Sequence, residues 1–245
     1  MNTQLPLRAA HSRPLRDPFA DRASLLCRTL LSKPHEEWSV RGLAEAAGVA
    51  PMLSSDVVRQ LAAAGIVTTR PAGRRLLVQL VNAPALLGQW TERYRWNRNA
   101  TVTFAAPIAD ESRFLSRLPR VMGSRRWALT LLAGAWRRVR YTPTDRLHIY
   151  IESSHVAELR AIAQQQGWPE DATGRLVLMK PVYRTSVWHN LTRISGPDTP
   201  IVSDLQLVLD LWNYPERGRA TAEQLWRPIA RRLGPSAATE STAHQ

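Results

Sequence analysis

Arginine is the residue type in this sequence that offers the most chemistry. Lys33 and Lys180 are the only lysines, so 31 of the 33 basic residues are arginine, and the formal net charge is +13. The planar guanidinium group forms paired hydrogen bonds with phosphate and with the edge of guanine, so this excess favours a polyanionic partner. A GC-rich coding bias also favours arginine over lysine, but it does not explain a net charge so far from zero.

The arginines whose spacing suits nucleic-acid binding lie between positions 52 and 75. Apolar residues recur at helical spacing from Pro51 to about Ala64, which predicts a helix with one buried face. If that helix enters a major groove, its exposed early residues meet base edges, and Arg59 reaches guanine or phosphate. The arginines of the following turn would contact the DNA backbone or the minor groove. The predicted DNA-binding residues are Met52, Ser55, Asp56, Arg59, Arg70, Arg74 and Arg75.

The elements that position these residues predict a winged helix-turn-helix. Three helices and a hairpin are expected at 19–31, 40–47, 51–64 and 66–81. Ser39 suits the N-cap of the second helix, and Gly48 and Gly65 suit the positive φ of the turns that follow the second and third helices. Winged helices also serve as protein–protein modules, although the arginines around the hairpin turn argue against that role.

The rest of the chain predicts a larger domain, so the expected fold class is α+β: an N-terminal winged helix-turn-helix followed by a mixed α/β C-terminal domain. Further helices are expected at 84–98, 110–118, 126–139, 155–166, 202–212 and 221–233, and strands at 101–104, 147–151 and 175–180. The predicted parts are a flexible basic arm (1–18), the winged helix-turn-helix (19–82), a linker helix (83–98), the α/β domain (99–234) and a disordered tail (235–245). We expect residues 1–98 to fold alone.

A second basic stretch runs from Arg113 to Thr144 and contains no acidic residue. It is either a second contact with DNA or RNA, or simply a solvated basic face. Charge is spread over both predicted domains, since residues 1–98 carry a net +7 and residues 99–245 a net +6. The candidate residues of this second patch are Arg113, Arg117, Arg120, Arg125, Arg126, Arg137, Arg138 and Arg140.

No motif of a familiar enzyme class is complete. A metal-dependent nuclease core needs an acid two residues before a strand lysine, and Leu178 stands there before Lys180. Gly123-Ser124 is followed by arginines rather than by the two acids of a nucleotidyltransferase, and no phosphate-binding glycine motif is present. We therefore expect no catalytic residue, no metal and no cofactor. Asp210 is interpreted as structural, capping a helix or pairing with Arg217 or Arg219.

The sequence contains no signal for export or membrane insertion. No apolar run approaches the roughly 20 residues of a membrane-spanning helix, and the N-terminus lacks an apolar signal region. Cys27 is the only cysteine, so no disulfide can form within the chain, and its leucine-rich surroundings suggest a core position. These features predict a cytoplasmic protein without a membrane partner.

Three segments carry a family resemblance. The first is LAEAAGVAPMLSSDVVRQLAAAGIV at 43–67, and the second is WALTLLAGA at 127–135, followed by the strand LHIYI. The third and most specific is PIVSDLQLVLDLWNYPERGRATAEQLWR at 200–227, where an aspartate-leucine pair precedes a Pro-x-Arg-Gly turn and a last helix. Through these segments the chain resembles the AbiEi-type antitoxins and transcriptional regulators of bacterial type IV toxin–antitoxin systems.

The resemblance implies a sequence-specific regulator that represses its own operon and counters a nucleotidyltransferase-like toxin encoded beside it. The implied partners are double-stranded operator DNA with inverted repeats and a toxin that is neutralised without a stable complex. An alternative stays open: a DNA-binding adaptor or replication-type protein whose C-terminal domain docks a protein partner.

Overall fold

The computed structural model describes residues 16–194 and 199–233. The predicted tail and all but the last three residues of the predicted basic arm lie outside these ranges. Within them the chain forms nine α-helices and nine strands, and the strands form two separate sheets. The predicted α+β class is therefore confirmed.

The N-terminal part consists of three helices and a small antiparallel sheet of order β1-β3-β2. The elements are α1 (Ser24–Ser32), β1 (Trp38–Ser39), α2 (Val40–Ala47), α3 (Pro51–Ala63), β2 (Val67–Ala72) and β3 (Arg75–Leu80). Helices α2 and α3 and the hairpin lie within a residue or two of their predicted bounds. The first helix starts five residues later than predicted, because the Asp17 carboxylate accepts a hydrogen bond from the Phe19 N–H (3.0 Å) and the chain turns there.

The predicted linker helix over 83–98 is wrong in its second half. Helix α4 (Ala83–Arg93) ends at Tyr94, whose backbone is extended, and a single 3-10 turn (Trp96–Arg98) follows. The Tyr94 side chain is buried and donates a hydrogen bond to Asp210 in the core (2.5 Å). The requirement to bury Tyr94 thus overrides the helical pattern that the sequence carries.

The C-terminal part is a mixed six-stranded sheet covered by helices. Its elements are β4 (Ala100–Phe104), α5 (Glu111–Met122), β5 (Trp127–Leu129), α6 (Leu131–Val139), β6 (Leu147–Ile151), α7 (Val156–Gln165), β7 (Leu176–Lys180), β8 (Thr192–Ile194), β9 (Thr199–Ile201), α8 (Asp204–Trp212) and α9 (Gly218–Arg232). The strand order is β4-β7-β6-β5-β9-β8, with β6 parallel to β7 and β5 parallel to β9. All five residues of β6 are buried, so both faces of the sheet are covered there.

The sequence predicts one helix over 126–139, and this prediction is also wrong at its start. Trp127–Leu129 forms β5, and only Leu131–Val139 forms α6. β5 lies between β6 and β9, and all three of its residues are buried. A three-residue apolar run fits a helix as well as a strand, so long-range pairing decides the outcome.

The N-terminal and C-terminal parts share one hydrophobic core that extends from Phe19 to Ile229 among the described residues. Hydrogen bonds reinforce this contact at the start of α1. The Asp21 carboxylate accepts backbone N–H groups of 184–186 at 2.8–3.1 Å, and the Ser24 hydroxyl donates to that of Ser186 (3.0 Å). We call this contact between residues 17–24 and residues 183–186 the joint.

A buried histidine lies on the central strand β6. His148 is 5% exposed, its Nε2 lies 3.4 Å from the Tyr214 hydroxyl, and its Nδ1 has no hydrogen-bond partner among the described residues. Burial lowers the pKa of His148 from 6.5 to about 4, and the nearby Arg146 adds to the effect.

We expect His148 to make the stability of the protein depend on pH between 6.5 and about 4. As the pH falls, the unfolded chain binds a proton at this residue before the folded chain does. The contribution is therefore complete above pH 6.5 and is lost as the pH falls through the folded pKa, by about 3 kcal/mol in all. Denaturant unfolding at a series of pH values measures it.

Two variants isolate this effect. His148→Gln removes the titrating group, so its unfolding free energy should change less across this pH range than that of the wild type. His155→Asn removes an exposed histidine at the N-cap of α7 and should keep the wild-type pH dependence. The same pH dependence in His148→Gln as in the wild type would contradict the assignment.

Candidate nucleic-acid interface

Helices α2 and α3 are fixed against each other at their N-termini. The Ser39 hydroxyl oxygen accepts the Gly42 N–H (3.0 Å), as its predicted N-cap role requires, and Gly48 ends α2 with a φ of 64°. Ser54 stands where a helix-turn-helix usually has an apolar residue, and its buried hydroxyl donates to the Val40 carbonyl of α2 (2.9 Å). This hydrogen bond helps to fix the orientation of α3 relative to α2, and with it the direction of the exposed face of α3.

The four predicted residues of α3 are unequally exposed. Met52 and Arg59 project furthest, with 66% of Met52 and 67% of the Arg59 side chain exposed. The Ser55 hydroxyl donates to the Pro51 carbonyl (3.1 Å), and the Asp56 carboxylate lies 3.8 Å from the Arg59 guanidinium. Met52 and Arg59 are two helical turns apart on one face, about 10 Å along the axis. They are therefore the residues of α3 best placed to meet a partner.

The three predicted arginines of the hairpin differ in whether an acidic residue pairs with them. Arg70 forms a two-bond ion pair with Glu37, at 3.0 and 2.6 Å, which offsets its charge. Arg74 and Arg75 follow the turn residue Gly73 and are exposed. Neither has an ion pair within the described residues, so the free positive charge of the hairpin lies at its tip.

An open groove of about 590 Å³ connects the hairpin tip with the first turns of α2. Arg74 and Arg75 line one part of it, and Arg41 lines another. Arg41 pairs with Glu45 one turn along α2 (2.9 Å) and was not singled out from the sequence. A signal was available, because the first helix of a helix-turn-helix crosses the DNA backbone and a cation in its first turn suits phosphate.

The second basic stretch does not form one patch of eight free arginines. Carboxylates from outside the stretch pair with three of them: Arg126 with Glu152, Arg137 with Glu111, and Arg138 with Asp204. The Arg140 guanidinium lies over the Trp136 ring, 5.8 Å from its centroid. The sequence could not reveal these pairs, since their partners lie up to 66 positions away.

Five arginines of the stretch stay exposed without an ion pair in the described part of the chain, and one of them is Arg140, which lies over the Trp136 ring. Arg113, Arg117 and Arg120 follow at intervals of four and three residues, so they share the outer face of α5. Arg125 lies in the turn before β5. This smaller set is what remains of the predicted second patch, and whether it binds a nucleic acid stays a prediction.

Asp210 does not pair with Arg217 or Arg219 as the sequence suggested. Asp210 is fully buried, and its carboxylate accepts hydrogen bonds from four side chains. The hydroxyls of Tyr94, Tyr150 and Thr130 donate to it at 2.5–2.9 Å, and the Gln206 side-chain amide donates at 2.9 Å. An aspartate inside the apolar run LQLVLDLW was the available signal for burial.

A buried arginine completes this group. Arg28 of α1 is 3% exposed, and its Nη2 donates to Gln206 Oε1 (2.5 Å), so Gln206 links the guanidinium to the Asp210 carboxylate. Burial raises the pKa of Asp210, and the hydrogen bonds that it accepts act in the opposite direction. The buried Asn99 joins them, since its side-chain amide donates to the Tyr150 hydroxyl (3.0 Å). We call the set the polar core, and its members are Arg28, Tyr94, Asn99, Thr130, Tyr150, Gln206 and Asp210.

The described residues offer neither a metal site nor a membrane-spanning helix. Among the described residues, no group of three or more His, Cys, Asp or Glu side chains is arranged to hold a metal ion. No helix in 16–194 or 199–233 is both long and apolar enough to cross a membrane.

Comparison with known proteins identifies one family. The model described as "Transcriptional regulator, AbiEi antitoxin, Type IV TA system" matches residues 79–229, which run from the end of β3 into α9. The match includes every member of the polar core except Arg28 and lies C-terminal to α3 and the hairpin tip. No curated protein and no solved structure matches the chain.

Proposed function

We propose a function from the premise that the chain belongs to the AbiEi antitoxin family of type IV toxin–antitoxin transcriptional regulators. The protein binds operator DNA in a sequence-specific manner through a winged helix-turn-helix at 19–82 and represses its own operon. It acts by binding, without a catalytic step. Because helix-turn-helix proteins commonly bind DNA as dimers on two symmetric half-sites, the operator is expected to contain inverted repeats.

The single observation that carries the DNA-binding proposal is the pair of exposed arginines at the hairpin tip, Arg74 and Arg75, which have no ion pair with any residue of 16–194 or 199–233. The order helix, strand, helix, helix, hairpin in α1 to β3 supports a winged helix-turn-helix, with α3 as the reading helix. The groove beside the tip continues to Arg41 at the start of α2. These cations suit successive phosphates of one duplex strand.

Replacing both tip arginines should weaken binding to every duplex. For Arg74→Ala with Arg75→Ala, we expect the slope of log K against log salt to flatten by roughly one to two units, since up to two phosphate contacts are lost. Fluorescence anisotropy on the promoter fragment and on a random duplex, at several salt concentrations, measures this. A variant with Arg160→Ala and Arg219→Ala has the same net charge but keeps the tip, and should keep the slope. An unchanged slope in the tip variant would exclude the hairpin from the DNA contact.

Arg59 tests whether α3 reads bases. Arg59→Ala should reduce operator affinity by on the order of 1–3 kcal/mol and random-duplex affinity by less. Arg59→Lys keeps the charge but loses the planar fork, so it should lose operator preference while random binding persists. If lysine restores operator binding fully, Arg59 contacts phosphate rather than a base.

The antitoxin role is proposed for the whole chain, with neutralisation of a nucleotidyltransferase-like toxin and no stable complex between the two proteins. Growth rescue with the neighbouring toxin expressed from a separate inducible promoter tests it. The tip variant should still rescue growth there, because toxin expression no longer depends on repression. Failure of the wild type to rescue would exclude the antitoxin role, and co-purification of both proteins would contradict neutralisation without a complex.

A further inference from the structure

A cavity of about 300 Å³ lies where α1, α8 and the loop before β8 meet. Arg28 and Ser32 of α1 contribute to one wall, and Ser203 and Asp204 at the N-terminus of α8 contribute to another. His189 and Asn190 belong to the loop, and Arg138 and Arg232 add two further guanidinium groups. The rest of the lining is Leu31, Thr192, Leu205 and Ile229. The cavity is separate from the hairpin groove and shares no lining residue with it.

Arg28 is the unusual member of this lining. It is 3% exposed, yet its Nε and Nη1 have no hydrogen-bond partner among the described residues. An arginine buried in this way normally has all its N–H groups paired, since each unpaired donor of a charged group costs free energy. The Arg28 guanidinium also lies over the Trp90 ring, 5.3 Å from its centroid, and its two unpaired nitrogens are open to an acceptor that the described side chains do not supply.

The other charges of the lining favour an anion as that acceptor. Three arginines face one aspartate, and Asp204 is already paired with Arg138 at 2.6 and 2.9 Å. The nine-residue helix α8 begins at the cavity wall, and its N-terminus adds partial positive charge. The charge of Arg28 also reaches His189, whose pKa is lowered by burial and by that guanidinium.

We propose that this cavity binds the phosphate group of a small phosphorylated molecule. The ligand is small because a buried guanidinium is not accessible to the backbone of a duplex. A phosphate suits the site better than a carboxylate, since it offers more acceptor oxygens to the Arg28 and Arg232 guanidinium groups and to the N-terminus of α8. The rest of the molecule would meet the polar groups of Ser32, Asn190 and Ser203 and the apolar side chains of Leu31, Leu205 and Ile229.

Titration of the full-length protein with inorganic phosphate and with adenosine monophosphate tests the proposal, in a buffer free of phosphate and sulfate at constant ionic strength. Calorimetry should give saturable binding. Arg232→Gln should weaken it by roughly tenfold, the effect of losing one charged hydrogen bond. Arg231→Gln is the matched control, because it removes a neighbouring exposed arginine of α9 that does not line the cavity, and it should bind as the wild type does.

The pKa of the His189 ring gives a second measurement of binding that does not depend on folding stability. A bound phosphate should raise the pKa of His189 in an NMR titration, because an anion beside Arg28 offsets the charge that depresses it. Absence of binding by both probes up to about 10 mM would overturn the proposal. So would equal affinities of Arg232→Gln and Arg231→Gln, or the same heat and the same His189 shift on adding only chloride.

Discussion

Asp210→Ala is expected to lower the free energy of unfolding by about 3–5 kcal/mol. The substitution removes the carboxylate that Gln206 links to the buried Arg28 guanidinium, and it leaves three buried hydroxyl donors without this acceptor. Removing one member of a buried charged pair typically costs about 3–5 kcal/mol, and a whole domain is stable by only about 5–15 kcal/mol. Thermal and urea unfolding followed by circular dichroism measure the loss.

Two further variants separate this cause from a general sensitivity of the helices near the C-terminus. Glu223→Ala removes an exposed carboxylate paired with Arg219 on α9, and should cost less than about 1 kcal/mol. Arg28→Met combined with Asp210→Leu removes both buried charges, so it should recover part of the stability that Asp210→Ala loses. A loss in Asp210→Ala no larger than in Glu223→Ala would show that the polar core does not stabilise the fold.

A fragment of residues 1–98 is expected not to fold cooperatively. The sequence favoured the opposite outcome, because three helices, a hairpin and the Trp90 helix look sufficient to close a small core. Instead Trp90 is fully buried and donates a hydrogen bond to Tyr183 (3.0 Å), which the fragment lacks. Arg28 also loses Gln206 and faces solvent beside exposed apolar surface. A domain of this size has little stability to lose.

The dispersion of amide resonances and the cooperativity of melting decide this prediction. A chain that ends at Leu233 keeps every described contact and serves as the control, with a wild-type melting transition. The fragment should show a broad melting curve and poorly dispersed resonances. If residues 1–98 melt cooperatively and bind the promoter with full affinity, the joint and the polar core contribute little to the DNA-binding half.

The parts of the fold that sequence could predict are those that local rules determine. Ser39, Pro51 and Gly65 mark helix ends by capping and backbone conformation, which act within a few residues. The bounds of α2, α3 and the hairpin were therefore accessible. The exposed arginines of α3 and the hairpin followed from the same reasoning, since each lies opposite a buried stripe or at a turn.

The parts that sequence could not predict depend on distant partners. Strands β5, β8 and β9 have three residues each and exist because they pair with one another or with β6. Nothing local tells a three-residue strand from a loop. Likewise, the extended backbone at Tyr94 reflects the position of Asp210, 116 residues further along. For the same reason the sequence could not show which acidic residues pair with arginines of the second basic stretch, since these partners are distant along the chain.

The chemistry of the joint determines what ionic strength can do to this protein. The joint relies mainly on the shared core and on the buried hydroxyl pair of Ser24 and Ser186, with exposed backbone hydrogen bonds to Asp21 beside them. Arg74 and Arg75, by contrast, are exposed charges without an ion pair in the described ranges. Dissolved ions screen exposed charges within roughly 10 Å at 0.1 M and act far less on buried contacts. Added salt should therefore dissociate the protein from nucleic acid without separating its N-terminal and C-terminal parts.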